Sequence, residues 1–168
     1  MIKLLINVNR INKISSQSPI WIFQANKIFD LSLIKKIEED TINFLNSWTS
    51  HNVEIKSSFK IVHNLFLIIS VESDFSRPSG CSIDKLINFV KEINKLHNID
   101  FLDRLSISYR HENKIKVVNI SEFKKLILDG RISKNTIVFN NTLRNKGELN
   151  KNWETKALNS WHKKYFNV

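Results

Sequence analysis

The first hydrophobic block is short: Ile20, Trp21, Ile22 and Phe23 precede Gln24, and strand-forming residues in such a run predict a brief strand. From Asp30 the spacing changes to three and four. Ile34, Ile37, Thr41, Phe44, Leu45 and Trp48 share one side, while Lys35, Lys36, Glu38 and Glu39 fall largely outside it, so a helix is predicted. Asp30 or Ser32 can cap its start, and it should fade near His51 and Asn52. Phe59, Ile61 and His63 then alternate with Ser58, Lys60 and Val62, and Asn64 leads into the apolar run Leu65 to Val71. This reads as a hairpin whose second strand is central, because a strand covered on both faces loses its polar alternation.

A loop with Arg77, Pro78, Ser79 and Gly80 leads to a second amphipathic helix, with Ile83, Ile87, Val90, Ile93 and Leu96 or His97 inward. Leu105, Ile107 and Tyr109 alternate as a strand, His111 to Asn113 make a turn, and Ile115 and Val117 continue in another strand. The order βαββαβ predicts an α+β fold, a ferredoxin-like sandwich in which two helices cover one face of a four-stranded antiparallel sheet. A C-terminal β-α-β extension follows: its helix is capped by Ser121 and stopped at Asp129 and Gly130, and Thr136 to Phe139 form its last strand. The polar break Ser15 to Pro19 marks residues 1–19 as a partly flexible extension and 20–168 as a single domain.

Composition adds a charge question. The formal net charge is +10, but 24 Ile, 21 Asn and 20 Lys against 6 Arg are the skew that an AT-rich coding sequence produces. Position matters more than the total: the excess sits in residues 1–20 and 131–168, and the body between them is nearly neutral. A single thiol, Cys81, excludes an internal disulfide and points to a reducing compartment, the cytoplasm. The longest uninterrupted apolar run, Leu65 to Ile69, is far too short to span a bilayer.

Several chemistries are missing. Gly80, Gly130 and Gly147 are isolated, so neither a phosphate loop nor a dinucleotide fingerprint is present, and one Cys with five scattered His gives no zinc spacing. No cofactor and no metal are expected. Glu72, Asp74, Asp84, Asp100 and Asp103 invite a magnesium site, but the expected topology separates Asp100 and Asp103 from Glu72. The most distinctive loop is Ser79, Gly80, Cys81, Ser82, Ile83, Asp84 at the start of the second helix. A thiol there feels the positive end of the helix dipole, and the expected sheet would bring His51 and His111 to the same edge. Cys81, His51, Asp84 and His111 are therefore the catalytic candidates, and Ser79 to Ser82 an anion-binding candidate; plain helix capping explains the same residues. In the tail, Lys151, Trp153, Trp161, His162, Lys163 and Lys164 alternate aromatic faces with cations, which suits unpaired bases and phosphates. The alternative is that the aromatics anchor the tail while the lysines stay in water.

Six short segments carry a resemblance: Trp21-Ile22-Phe23, Trp48-Thr49-Ser50-His51, Gly80 to Asp84, Phe101 to Arg104, Thr136 to Asn141, and Ser160-Trp161-His162. Together they resemble a family of short uncharacterised bacterial proteins often labelled "ABC transporter ATPase", and the resemblance covers roughly residues 20–166. The label implies ATP hydrolysis, which the missing phosphate loop argues against. The resemblance marks His51, Cys81, Asp84, Trp161 and His162 for inspection and implies no substrate. The expectation from the residues is a small binding or accessory protein acting through an RNA or protein partner; the rival is an enzyme centred on Cys81.

Overall fold

The computed structural model describes residues 14–72 and 78–166. Strand β1 (Ile20–Gln24) leads into helix α1 (Leu31–Ser47), whose N-cap Asp30 accepts a 2.7 Å hydrogen bond from Leu33 N. A small hairpin follows, β2 (Thr49–Ser50) and β3 (Val53–Glu54), then β4 (Ser57–Val62) and β5 (Phe66–Val71). Helix α2 (Gly80–His97) starts from the N-cap Ser79 and ends on Asn98 in the left-handed region, φ 50°. The turns at His51–Asn52 and His63–Asn64 also have both central residues at positive φ, as tight hairpin turns require. Asparagine takes many of the positions where glycine would be usual, which its short polar side chain permits.

Strands β1, β5 and β4 form an antiparallel sheet in the order β1-β5-β4. All six residues of β5 are buried, as its unbroken apolar run predicts for a central strand. Side chains alternate between faces, so Leu67, Ile69 and Val71 share one face with Trp21 and Phe59, and Phe66 and Ile68 share the other with Ile22 and Gln24. The first face meets the helices: Trp48 packs edge-on against Trp21, and Phe44 of α1 stacks on Phe89 of α2 with centroids 4.2 Å apart.

A second antiparallel sheet covers the opposite face. It comprises β6 (Ser106–His111), β7 (Lys114–Asn119), β8 (Ile137–Phe139) and β9 (Glu154–Lys156), in the order β7-β6-β8-β9. Helix α3 (Ile120–Leu128) lies between β7 and β8, and helix α4 (Lys146–Asn152) precedes β9. Phe66 joins the layers, with its ring 4.9 Å from both Phe139 and Trp153. On the outer side of the second sheet, Ile107, Tyr109 and Val138 pack with Phe123 and Leu126 of α3 and with Tyr165 of the tail.

The protein is therefore α+β with antiparallel sheets, but the expected single layer of four strands is replaced. The strand expected to close it, β6, pairs with β7 and β8 instead. The edge of β1 away from β5 takes one antiparallel bridge, Pro19 with Asn145. The physical reason is coverage: with β5 apolar on both faces, the C-terminal strands lie over the sheet rather than extend it.

Smaller differences have local causes. Of the extension expected to be partly flexible, residues 14–19 contact the domain: Ile14 and Ser18 are buried, Ser15 to Gln17 are exposed, and Gly147 N donates to Ser16 O at 2.8 Å. That approach needs a glycine, since a Cβ on Gly147 would stand 3.2 Å from the Ser16 carbonyl oxygen. The rest of the extension, residues 1–13, lies outside the described residues. Helix α3 is capped by Asn119 rather than Ser121, and it stops as expected before Gly130, φ 70°. In α2 the buried face is Ser82, Leu86, Phe89, Val90 and Ile93, leaving Leu96 exposed.

Because Phe66 belongs to the core of both layers, Phe66→Ala should cost about 3–5 kcal/mol. Both sheets should melt in one transition, followed in urea by tryptophan fluorescence and far-UV circular dichroism. Two separated transitions would mean that the sheets are independent units.

Candidate functional site

The start of α2 is assembled by hydrogen bonds within the fold. Ser79 Oγ accepts from Ser82 N (3.3 Å) and shares a 2.8 Å hydrogen bond with Ser82 Oγ. Ser82 Oγ donates to Thr49 O (3.2 Å), Ser79 N to Ser50 Oγ (3.3 Å), and Trp48 Nε1 to Ser82 O (2.9 Å). Ser79 and Ser82 thus cap the helix and clamp it to β2. Cys81 and Asp84 are exposed beside this clamp. Among the described residues, no hydrogen bond or ion pair links Cys81 to His51, Asp84 or His111. A Cβ at Gly80 would meet nothing within 4 Å, so no tight approach explains that glycine.

The expected approach of His111 to Cys81 fails because of where β6 runs. Glu72 N donates to Lys56 O, Ile55 N to Trp48 O and Ser79 N to Ser50 Oγ, which places the start of α2 at the Val71 end of β5. Strand β6 is anchored instead at the other end of β1, where Ser108 Oγ donates to Gln24 Oε1 at 2.6 Å. It then runs to Arg110, 3.4 Å from His63 Nε2, so His111 lies beyond the Phe66 end. A six-residue strand, about 20 Å long, separates the two groups. His51 is at the correct end but exposed in the β2–β3 turn. Of the acidic candidates, Asp74 lies outside the described residues. No group of three His, Cys, Asp or Glu able to hold a metal occurs among the described residues.

The tail residues divide into buried and exposed sets. Trp153 is buried between the sheets and packs on Phe66, Phe139 and His63. His162 is buried against Phe123 and shares a 2.8 Å hydrogen bond between its Nδ1 and Ser160 Oγ. Neither ring leaves an open face for a base. Lys151, Lys163 and Lys164 are exposed, and Lys164 Nζ lies 4.9 Å from the half-exposed Trp161 ring. Near the Phe66 end, Arg110 makes a two-pronged contact with Glu154, at 2.5 and 3.0 Å, and His63 adds a third bond at 3.0 Å. The bonds from Arg110 hold the Glu154 carboxyl below the usual carboxylate range, and the same contact raises Arg110.

A cleft of about 420 Å³ with a mixed lining lies where the two sheets meet. Ile22, Phe23 and Gln24 of β1 form one wall, with Ile87 of α2 beside them. Phe101, Leu102, Asp103 and Arg104 come from the α2–β6 connection, joined by Ser106, Asn141, Thr142 and Trp161. The polar wall is held in place by side-chain amides. Gln24 Oε1 accepts from both Ser108 Oγ and Asn141 Nδ2 (2.8 Å), and Asn141 Oδ1 accepts from Trp153 Nε1 (3.0 Å). An amide oxygen has two lone pairs, so that of Gln24 is fully used. Asp103 is also satisfied locally, by Leu105 N and Ser106 Oγ, whereas Arg104 is exposed.

The sequence pattern points to none of Gln24, Ser106, Ser108, Asn141 or Thr142 as site residues. The available signal was a glutamine ending an apolar strand and an Asn-Asn-Thr run after β8. The segments around Trp48 and Cys81 lie outside this cleft and form the α2 clamp. Among the described residues, no helix is long and apolar enough to cross a membrane. Comparison with family models, with curated proteins and with solved structures gives no match.

Burial lowers the His162 pKa to about 4, against 6.5 for the free side chain. The unfolded chain therefore binds the extra proton between these values, so stability is full above pH 6.5 and falls as pH drops towards 4. The loss is roughly 3 kcal/mol. Thermal melting from pH 7 to 4 should show a steeper decline for the native protein than for His162→Gln, and parallel curves would refute the assignment.

Proposed function

We propose that this chain is a non-catalytic binding protein that engages a protein partner through the cleft between the two sheets. The observation that carries the reading is the cleft's construction. It has apolar walls from Ile22, Ile87 and Leu102, fixed amide groups, and Arg104 and Asp103 of opposite sign. Ligand sites are commonly concave, mostly apolar and edged by a few immobilised polar groups. A near-neutral lining suits polypeptide better than phosphate, and the burial of Trp153 and His162 removes two of the stacking faces that an RNA site would use. Among the described residues no hydrogen bond joins the exposed Cys81 thiol to a base, which favours binding over the cysteine enzyme. The lone thiol also suits a reducing compartment, so the proposed place of action is the cytoplasm.

Affinity purification with the full chain as bait, at low and moderate ionic strength and with one sample nuclease-treated, tests this reading. A discrete protein partner should survive nuclease and moderate salt and be lost with Ile87→Lys, a half-buried wall position. Recovery that disappears on nuclease treatment and declines steeply with salt would replace it with the RNA reading. Recovery indifferent to Ile87→Lys would remove the cleft from the proposal.

A further inference from the structure

Strand β1 has an unfinished edge inside the cleft. Val71 N donates to Pro19 O (3.2 Å) and Ala25 N to Leu65 O (2.9 Å), so the backbone groups of Pro19, Trp21, Phe23 and Ala25 point towards the β5 side. Those of Ile20, Ile22 and Gln24 point to the opposite edge, by the alternation of an antiparallel ladder. There Ile20 N donates to Arg144 O (3.0 Å) and Lys146 N to Ser18 O (3.0 Å), the bonds of the Pro19–Asn145 bridge. The pairing then ends, because Arg144 N turns to Glu148 Oε2 (2.9 Å). Among the described residues, no backbone partner takes up the N–H or C=O of Ile22, and Ile22 lines the cleft.

Resting on the protein-binding reading, we propose that the partner supplies an extended segment that adds to β1 at Ile22, continuing antiparallel the strand that residues 144–145 begin. The fold itself demonstrates the pairing mode one step away on the same edge. Exposed strand edges recruit extended chains because their unpaired backbone groups supply affinity without sequence, while the walls select alternate side chains. Here the walls differ. Ile87 lies on the helical side of the first sheet, and Asn141 and Thr142 on the side of the second. The segment that fits alternates apolar with uncharged polar residues, and the exposed cation Arg104 suits an acidic residue at its flank.

The probe is a phage-displayed library of random dodecapeptides selected against the full chain, followed by titration of the best synthetic peptide. Selected peptides should share the alternating pattern and bind Ile22→Pro at least tenfold more weakly, because proline removes the edge N–H while edge strands tolerate it. Hydrogen exchange on the native protein provides a second measurement should that variant fail to fold: the Ile22 amide should slow at least tenfold when the peptide is bound. A peptide that is lost with Ile87→Lys, yet indifferent to Ile22→Pro and without effect on Ile22 exchange, would overturn strand addition while leaving the protein-binding cleft intact. If no peptide is selected, strand addition is likewise overturned, and the partner recovery of the bait experiment then decides the cleft reading separately.

Discussion

The constraint on which the rest depends is that β5 has no face to give to water. Phe66 to Val71 are fully buried, and a strand of that kind must be covered twice. Helices α1 and α2 supply one cover through Leu45, Leu86 and Val90, together with Trp48 at the end of α1. The second comes from the C-terminal part of the chain, which folds back as a sheet and places Phe139 and Trp153 against Phe66. Strand β6 joins that sheet rather than the edge of β1. The unfinished edge of β1 and the cleft beside it follow from the same choice.

Much of the first layer was legible because its signals are local. The stripe through Ile37, Thr41 and Leu45, the alternation before His63 and the apolar run after Asn64 each report their own element, and the structure has all three. The placement of β6 was not legible, because Leu105 to Tyr109 reads as a half-buried strand beside either sheet. What decides is a long-range pair: Gln24 Oε1 takes both Ser108 Oγ and Asn141 Nδ2, across 84 and 117 residues of chain. A polar residue at a strand end carries no mark of its distant partner. Short elements also escaped, since two-residue strands such as β2 and β3 have too few positions to display a period.

The amide seam explains how a cleft persists between two apolar layers. Burying Gln24 without partners would cost several kcal/mol, so its hydrogen bonds to Ser108 and Asn141 are a condition of its position, not an ornament of it. The same bonds fix Asn141, which in turn holds the indole of Trp153. The polar wall is thus immobilised from the core outward, and its geometry is set before any ligand arrives. A preorganised wall avoids part of the ordering cost that binding otherwise incurs.

Composition draws attention to the sulfur, whereas the cleft wall is built from the inconspicuous amides of Gln24 and Asn141. Cys81 has a helix N-terminus beside it, but Ser79 and Ser82 there are committed to the clamp with Thr49 and Ser50, and among the described residues no hydrogen bond joins the thiol to a base or acid. An exposed thiol without such partners has no means of activation beyond the helix end itself. The segments around Trp48 and Cys81 hold α2 in place, and α2 in turn carries Ile87 to the cleft wall. On the proposed reading, recognition would depend on the spacing between that helix and β1, and a change in the clamp would act on binding through the position of Ile87 rather than through the thiol.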